Sequence, residues 1–274
     1  MAGPAPILLT ALHVYPLKGA RGLAPAAARA ERRGFAGDRR WMIVDAAGTF
    51  VSQRTRPALA LLAPERREDV FVLRAPGQAD LVVPLAAGGR PLGAAPRPVA
   101  IWRDTVDALD AGEAAAAWLA ARLGEPCRLV FMPDETERPV DPAFAAPADR
   151  VGFADAFPYL LASEASLADL NARLPRPLPM DRFRPNLVIA GAAPYAEDGW
   201  RRVRIGTVAF RVAKPCARCA VTTVDQATGI ASGPEPLRAL AAYRRGAEGV
   251  LFGMNLIPDG EGELRRGDPV EPLA

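Results

Sequence analysis

The amino-acid sequence predicts a mixed α/β protein that is mainly β and is built from barrels. Short apolar segments with β-branched residues recur along the whole chain, whereas few segments have the periodicity of a helix. The sequence contains no Walker A motif and no strand–GxGxxG–helix fingerprint, which disfavours a doubly wound nucleotide-binding sheet. Many short strands with few helices are typical of barrel architectures.

The predicted strands are separated by turns that are rich in proline, glycine and small polar residues. Residues 41–45, the turn Ala46-Ala47-Gly48 and residues 49–52 together predict a hairpin. The remaining predicted strands are residues 7–15, 70–73, 81–83, 99–102, 105–109, 127–132, 187–190, 200–205, 208–212, 220–224, 249–257 and 268–273.

Three segments are predicted to be helical, and one long segment is predicted to be irregular. Residues 112–123 are rich in alanine and end before Gly124, which is a common helix stop. Ser163 can cap a helix that continues to residue 173, and residues 236–244 predict a short third helix. Residues 133–150 are rich in Pro, Ala, Asp and Arg without periodicity, which predicts a loop or a domain connection.

The bulk composition limits the possible functions. Of the 274 residues, 50% are hydrophobic and 24% are charged, as in ordinary globular proteins. The 34 basic and 31 acidic residues leave a net charge of only +3, which disfavours a nucleic-acid partner. No apolar run is long enough to span a membrane, and residues 1–6 lack the features of a signal peptide. We therefore expect a cytoplasmic protein with no membrane partner.

The three cysteines and the single histidine limit the chemistry further. An odd and small number of cysteines is not the pattern of a disulfide-stabilised secreted fold. One histidine, His13, cannot supply a metal site that needs two or three imidazole ligands. A serine–histidine–acid triad would also have to use His13.

The segment with the strongest chemical signal contains two thiols three positions apart, Cys216 and Cys219. Arg218 lies between them and Lys214 precedes them. Positive neighbours favour the thiolate form of a cysteine, which is the form that attacks electrophiles and binds metals. Because thiolates suit sulfur-loving metals, the pair predicts a metal-binding or nucleophilic site.

Three other interpretations of the cysteine pair remain open from the residues alone. A structural zinc site would need two further ligands, for which only Cys127 and His13 are candidates. A thioredoxin-like motif would place the pair at the start of a helix, whereas Thr222-Thr223-Val224 favours a strand. The third interpretation is that both cysteines are small buried residues at a strand edge.

Ordered motifs surround the pair along nearly the whole chain. The N-terminal half contains Tyr15-Pro16-Leu17-Lys18 and Gly37-Asp38-Arg39-Arg40-Trp41. The C-terminal half contains Ser166-Leu167-Ala168-Asp169-Leu170-Asn171, Arg182-Phe183-Arg184-Pro185-Asn186, Tyr195-Ala196-Glu197-Asp198-Gly199-Trp200, Thr222-Thr223-Val224-Asp225, Leu251-Phe252-Gly253-Met254-Asn255 and Gly267-Asp268-Pro269-Val270. In this order the motifs resemble the MOSC family, named after the C-terminal domain of molybdenum cofactor sulfurase. They are most similar to its branch with the mitochondrial amidoxime-reducing component and bacterial relatives.

The resemblance implies a fold and a division into domains. It predicts an N-terminal MOSC β-barrel domain at residues 1–125 and a C-terminal MOSC β-barrel with a few helices at residues 126–274. About the first 40 residues are expected to pack with the C-terminal barrel.

The resemblance also implies a molybdenum cofactor, namely molybdopterin in its phosphate-terminated form. Cys219 is the implied metal ligand and catalytic residue, while the pterin dithiolene supplies two further sulfurs. The other implied cofactor-binding residues are Lys18, Arg39, Arg184, Asn186, Arg218 and Asn255. Arg39 and Arg184 are expected at the phosphate, because guanidinium groups bind phosphate in a bidentate manner. Asn186 and Asn255 are expected at the amide-like edge of the pterin.

The implied activity is the reduction of N-hydroxylated small molecules, such as amidoximes or hydroxylaminopurines. A separate redox protein, such as a ferredoxin or a cytochrome-type protein with its reductase, is expected to supply the electrons. Glu197 and Asp198 are expected to orient the residues that contact the cofactor without contacting it themselves, unless Asp198 only caps a turn. Two alternatives stay open: a molybdenum cofactor carrier or binding module, and a sulfur carrier that uses the cysteine pair.

Overall fold

The computed structural model describes residues 6–273, and in this range it is mainly β with three short α-helices. The α-helices are α1 (Glu113–Leu123), α2 (Glu164–Asn171) and α3 (Leu237–Tyr243). The strands are β1 (Leu8–Leu12), β2 (Ala27–Glu31), β3 (Gly34–Phe35), β4 (Trp41–Asp45), β5 (Ala63–Arg67), β6 (Val70–Ala75), β7 (Gln78–Pro84), β8 (Ala95–Ile101), β9 (Asp104–Asp110), β10 (Cys127–Phe131), β11 (Tyr159–Ser163), β12 (Leu187–Ala190), β13 (Arg202–Ile205), β14 (Val208–Ala217), β15 (Arg245–Gly246), β16 (Gly249–Pro258), β17 (Gly262–Arg265) and β18 (Val270–Leu273). The 3-10 helices are Pro57–Leu61, Ala87–Gly89, Met180–Arg182, Ala196–Gly199 and Ala220–Thr223. Within residues 6–273, no helix has the length and apolar character needed to cross a membrane.

The largest sheet has eight strands and is formed mainly by the C-terminal half of the chain. Its strand order is β1-β12-β11-β16-β14-β13-β18, and β15 pairs with β16 outside this path. β1 joins this sheet by antiparallel pairing with β12. The first strand of the chain thus completes a sheet whose other strands begin at Tyr159 or later. Tyr159, Phe210 and Leu256 are among the buried residues of its core.

Three smaller sheets complete the fold. The sheets β4-β10-β9-β8 and β5-β6-β7 belong to the N-terminal half, whereas β17-β2-β3 joins the two halves through the pairing of β2 with β17. In the core of the N-terminal half, the rings of Trp41 and Phe71 stack with their centroids 4.3 Å apart. α1 adds Ala115 and Leu119 to the same core. The sheets confirm the predicted mainly β, barrel-like architecture.

The predicted helices and the predicted irregular segment are confirmed, with small changes at the ends. α1 begins after Gly112 and ends at Gly124, whose left-handed backbone closes the last turn. The Ser163 hydroxyl accepts a hydrogen bond from the backbone amide of Ser166 at the start of α2. Residues 133–150 form turns and irregular backbone.

The strand predicted at residues 220–224 is wrong. Ala220–Thr223 forms a 3-10 helix, and Cys219 is its N-cap residue. The hydroxyls of Thr222 and Thr223 donate to the carbonyl oxygens three residues earlier, at 2.9 and 2.8 Å. Threonine is β-branched and favours strands, but here its hydroxyl satisfies the backbone locally and closes a turn.

The hairpin predicted around Gly48 forms only in part. β4 ends at Asp45, and the returning segment makes isolated bridges at Thr49 and Phe50 instead of a full strand. The structure also contains the strands β2, β3, β5, β11, β15 and β17, which the sequence did not predict. These strands lack a continuous run of β-branched or aromatic residues, so their pairing partners determine their conformation.

Candidate functional site

One cleft is lined by residues of both halves of the chain and has about 930 Å³ of space, counting its open mouth. The structure brings together all seven residues that the resemblance implicated, namely Lys18, Arg39, Arg184, Asn186, Arg218, Cys219 and Asn255. The contacts of these residues differ and indicate different roles.

Cys219 lies between β14 and the 3-10 helix Ala220–Thr223. Its carbonyl oxygen accepts hydrogen bonds from the backbone amide of Thr222 at 3.1 Å and from the Thr222 hydroxyl at 2.9 Å. On the far side of the turn, Arg182 donates to the Thr223 carbonyl and to the Asp225 carboxylate, at 2.9 and 2.8 Å. The half-buried thiol is therefore carried on a firmly held turn at the edge of the cleft.

The other thiol of the pair is engaged by the protein. Arg218 Nη1 donates to Cys216 Sγ at 2.9 Å, and Arg218 Nη2 donates to the Phe183 carbonyl at 2.7 Å. Lys214, which the sequence also suggested as a positive neighbour, is not part of the cleft lining. Its ammonium group pairs instead with Glu248 at 2.7 Å. The prediction is thus corrected: Arg218 is the cation beside the pair, and Lys214 is not.

Two arginines stack on one buried tyrosine, and we call these three residues the arginine clamp. The guanidinium carbons of Arg39 and Arg184 lie 4.5 and 4.3 Å from the centroid of the Tyr15 ring. A ring face attracts cations, and the attraction grows where water is excluded. Tyr15 is 3% exposed, its hydroxyl donates to the Pro185 carbonyl at 3.1 Å, and burial raises its pKa to about 12. The neutral ring thus holds two like charges in one place.

The clamp carries more positive charge than its protein contacts neutralise. Arg39 pairs with Asp38 at 2.5 Å, whereas Arg184 makes only a 3.3 Å hydrogen bond to Gln226 through Nη1. Within residues 6–273, Nη2 of Arg184 is buried and has no hydrogen-bond partner. Burial, with repulsion from Arg39, lowers the pKa of Arg184 to about 10. A bound anion would relieve both the missing bond and the uncompensated charge.

Asn186 is buried, and its side chain forms hydrogen bonds with separate segments of the chain. It is 1% exposed, and its Oδ1 accepts from Arg39 Nη1 at 3.1 Å and from the Leu160 amide at 3.3 Å. Its Nδ2 donates to the His13 carbonyl at 3.1 Å. These contacts favour a role in positioning Arg39, rather than the expected contact with the edge of the pterin. Asn255 differs, because it is half-buried and its Nδ2 makes only a 3.4 Å bond to a backbone carbonyl.

Lys18 is buried, and it ends the motif Tyr15-Pro16-Leu17-Lys18 that begins with the clamp tyrosine. Its Nζ donates to the Phe153 carbonyl at 2.8 Å and forms an ion pair with the Asp155 carboxylate. Desolvation lowers the pKa of Lys18, although Asp155 opposes the change. Desolvation also acts on Asp155, but the ion pair outweighs it and lowers the pKa of that carboxyl. Arg138 fixes the loop by donating to three carbonyls of residues 152–155.

The backbone is strained at several positions around the cleft. Within residues 6–273, the non-glycine residues with positive φ are Arg39, Trp102, Arg184 and Tyr195, with φ between 46 and 59°. The first three line the cleft. Such conformations cost free energy for residues with a Cβ, and they concentrate at functional sites. Both arginines of the clamp hold this conformation, which favours a role in binding.

Comparison with known proteins adds independent information. Residues 148–271 match the MOSC domain, and residues 7–126 match the MOSC N-terminal beta barrel domain. The chain is 35% identical to mitochondrial amidoxime-reducing component 1 of Homo sapiens, over 94% of this chain and 81% of that protein. The chain belongs to the MOSC-domain family of the amidoxime-reducing components.

Two further relatives of this MOSC protein have similar coverage. It is 36% identical to mitochondrial amidoxime-reducing component 1 of Mus musculus, over 94% of this chain and 80% of the relative. It is 32% identical to mitochondrial amidoxime reducing component 2 of Homo sapiens, over 94% and 81% of the two chains. Among solved structures, the YUAD protein from Bacillus subtilis aligns over 98% of this chain and 97% of its own. That alignment has 10% identity and a TM-score of 0.40, which adds nothing about function.

Several residues that line or support the cleft of this MOSC protein were missed by sequence reasoning. The side-chain amides of Gln53 and Gln226 bond to each other at 3.0 and 2.9 Å and join the two halves of the chain. Trp102 and Asp155 line the cleft from separate loops. The role of Tyr15 was missed as well. Tyr15 stands in a recognised motif, but the motif did not reveal its contacts with the arginines.

Glu197 and Asp198 do not line the cleft. Glu197 is fully buried and accepts from the Ser166 hydroxyl at 2.7 Å, and burial raises its pKa. Asp198 pairs with Arg244 at 2.6 Å. Because Ser166 and Arg244 also lie outside the lining, these contacts of both carboxylates are made outside the cleft. The expectation that they orient the site therefore has no support in their contacts.

The zinc and thioredoxin-like interpretations lose their support. Cys127 is buried in the apolar core of the N-terminal half, outside the cleft lining, and burial raises its pKa. No group of three or more His, Cys, Asp and Glu side chains within the described residues is arranged to hold a metal ion. Cys216 lies in β14, and Cys219 precedes only a four-residue 3-10 helix, not the α-helix that a thioredoxin-like motif begins. All three cysteines are free thiols.

The residues of the cleft fit an anionic cofactor that brings most of the ligands of its own metal. Cys219 offers one half-buried sulfur at the cleft. Arg184 offers a buried guanidinium nitrogen that has no partner among residues 6–273. Arg218 adds a further positive charge to the same lining, in which Lys18 and Arg39 are paired with Asp155 and Asp38.

Proposed function

We propose that this MOSC protein is a molybdenum-cofactor-dependent reductase of N-hydroxylated small molecules, with Cys219 as the protein ligand of the metal. The observation that supports this most strongly is that the half-buried thiol of Cys219 and the two arginines of the clamp line the same cleft. A phosphate-terminated pterin carries a sulfur-bound metal and an anion, so it would suit both features. Relatives named amidoxime-reducing components favour this substrate class.

The proposed cofactor contacts follow from the free bonding capacity of each side chain. Arg184 would bind the phosphate through its unpartnered Nη2, and Arg39 would add the second guanidinium. Arg218 contributes positive charge to the lining, and Lys18 would approach the cofactor as the partner of Asp155. Asn255 is placed for a polar contact with the pterin, whereas Asn186 holds Arg39.

The bound metal would supply two-electron redox chemistry, in which an N–OH group becomes N–H and water is released with uptake of two electrons and two protons. The chain itself binds the cofactor, fixes the position of the Cys219 sulfur and limits access of water to the clamp. Arg218 keeps a positive charge beside the cysteine pair through its contact with Cys216 Sγ. A separate redox protein, of the ferredoxin or cytochrome type, would deliver the electrons.

The direct test uses protein produced in a host that makes the cofactor, together with an artificial reductant. The wild type is expected to convert an amidoxime to the amidine, and Cys219→Ser is expected to abolish this turnover. Cys127→Ala is the matched control, because it removes a thiol from the apolar core and not from the cleft. It should retain the activity of the wild type.

The same experiment separates the competing functions. A protein that is fully loaded with molybdenum but inert toward every N-hydroxylated compound would favour a cofactor carrier. Transfer of persulfide sulfur from the cysteine pair, without reduction of substrate, would favour a sulfur carrier.

A further inference from the structure

A tryptophan lies at the tip of the β8–β9 hairpin, at the rim of the cleft. Trp102 and Arg103 form the two-residue connection between the strands, and φ of Trp102 is 57°. Two-residue hairpin loops with positive φ usually contain Gly, Asn or Asp, because a larger side chain is strained in that region. The chain therefore places a bulky aromatic residue where the backbone disfavours it.

Several contacts hold the indole ring in place. Trp102 Nε1 donates to Asp155 at 3.3 Å, and the Phe50 ring lies 4.7 Å away, centroid to centroid. The guanidinium carbon of Arg54 lies 4.4 Å from the indole centroid. Asp155 also pairs with Lys18, so the indole is connected to the polar network inside the cleft.

Core packing does not account for this tryptophan. Trp102 remains 43% exposed, whereas a side chain retained for the core would be buried. Trp102, Arg54 and Phe50 all line the cleft, and we call these three residues the aromatic rim. A strained backbone and an exposed ring at one point of a binding cleft together indicate contact with a ligand.

We propose that the aromatic rim binds the planar aromatic part of the substrate and makes the enzyme select ring-bearing N-hydroxylated compounds. This inference rests on the proposed function, since it names the substrate class of that same cleft. Indole rings and guanidinium planes both stack on flat π systems. The positive charge of Arg54 at the rim disfavours substrates with a permanent positive charge. The substrate class is therefore planar, aromatic and uncharged.

Exposure separates the rim from the residues that would hold the cofactor. Lys18 is 7% exposed and the side chains of Arg184 and Cys219 are half-buried, whereas Trp102 is 43% exposed. A tightly held cofactor needs contacts that exclude water, but a substrate that exchanges at each turnover needs an accessible surface. We therefore assign the rim to the substrate and not to the pterin.

The test compares two amidoximes with the same reacting group, benzamidoxime with a phenyl ring and acetamidoxime with a methyl group. Their binding to the cofactor-loaded protein is measured by calorimetry without reductant. Trp102→Ala is expected to weaken binding of benzamidoxime about 10-fold, the order found for stacking on an aromatic side chain. Binding of acetamidoxime should stay unchanged, and Trp102→Phe should restore most of the benzamidoxime affinity.

Two further variants separate substrate binding from folding. Trp102→Gly suits the positive φ of the turn, so it should fold normally and still bind benzamidoxime as weakly as Trp102→Ala. Arg54→Gln should weaken benzamidoxime binding by a smaller factor, about 3-fold. The molybdenum content of every variant should equal that of the wild type.

Three results would overturn the assignment: equal losses for both amidoximes, a reduced molybdenum content in Trp102→Ala, or no preference of the wild type for the phenyl compound. The outcome is independent of turnover. A protein that binds the phenyl compound through Trp102 but reduces nothing would contradict the reductase function and leave the rim assignment intact. An active enzyme without the Trp102 effect would contradict the rim alone.

Discussion

The cysteine turn and the arginine clamp are built in opposite ways. The turn is local, since residues 216–225 supply the thiol and the side-chain hydrogen bonds that close the turn. The clamp is non-local, since Tyr15, Arg39 and Arg184 come from three distant segments and meet only in the folded chain. A local feature can be recognised from sequence and tolerates changes elsewhere, whereas a non-local one depends on the packing of both halves.

The largest effect is expected from removing the unpartnered cation of the clamp. Arg184→Gln should weaken retention of the cofactor by about 2–3 kcal/mol, roughly 30–150-fold, because a charge-assisted bond to the phosphate is lost. Molybdenum and pterin contents after extensive dialysis measure this loss. In the cofactor-free protein the same change should leave the unfolding midpoint unchanged or raise it, because it removes a buried charge without a partner.

Arg204→Gln is the matched control for Arg184→Gln. Arg204 lies on β13, pairs with Glu271 at the surface and is not part of the cleft lining. It should retain the cofactor as the wild type does. Equal retention by both variants would show that the clamp does not bind the anion.

The next effect concerns the ring that holds the two arginines together. Tyr15→Leu removes both cation–π contacts and should weaken cofactor retention by about 1–2 kcal/mol, roughly 10-fold. Tyr15→Phe keeps the ring and loses only the hydrogen bond to Pro185, so it should stay close to the wild type. Dissociation rates of the cofactor give the comparison. If both variants lost the cofactor equally fast, and faster than the wild type, the hydroxyl rather than the ring would be the important group.

The contrast between turn and clamp also explains what the sequence could predict. Cys219, Arg39 and Arg184 were found because they stand in short ordered motifs, and the structure places all three in one cleft. The stacking on Tyr15 could not be found, because it depends on the relative placement of three separate segments. Asn186 also lines the cleft, but its use in holding Arg39 depends on burial that no motif reports.

The fold shows the same limit. The barrel-like, mainly β architecture and all three α-helices followed from apolar spacing and from stop signals such as Gly124. The threonines after Cys219 were assigned to a strand because β-branched residues favour strands, but their hydroxyls close a turn instead. β2 and β17 were missed because each is stabilised mainly by pairing with a strand from the other half.

A smaller, purely local effect is expected at the cysteine turn. Thr222→Val removes the hydroxyl that donates to the Cys219 carbonyl and keeps the β-branched shape, so it should lower the free energy of unfolding by about 1 kcal/mol. Cofactor retention should change far less than in Arg184→Gln, because the clamp is untouched. Thr222→Ser keeps the hydroxyl and is the control. Denaturant unfolding of the wild type, Thr222→Val and Thr222→Ser measures these free energies. Equal stability of the Val and Ser variants would contradict the prediction.

The central claim is a bond between the Cys219 sulfur and the metal, and X-ray absorption at the molybdenum edge tests it most directly. The wild type should show three sulfur neighbours, one from Cys219 and two from the pterin dithiolene. Cys219→Ser, loaded to the same metal content, should show two. Three sulfur neighbours in both proteins would contradict the claim.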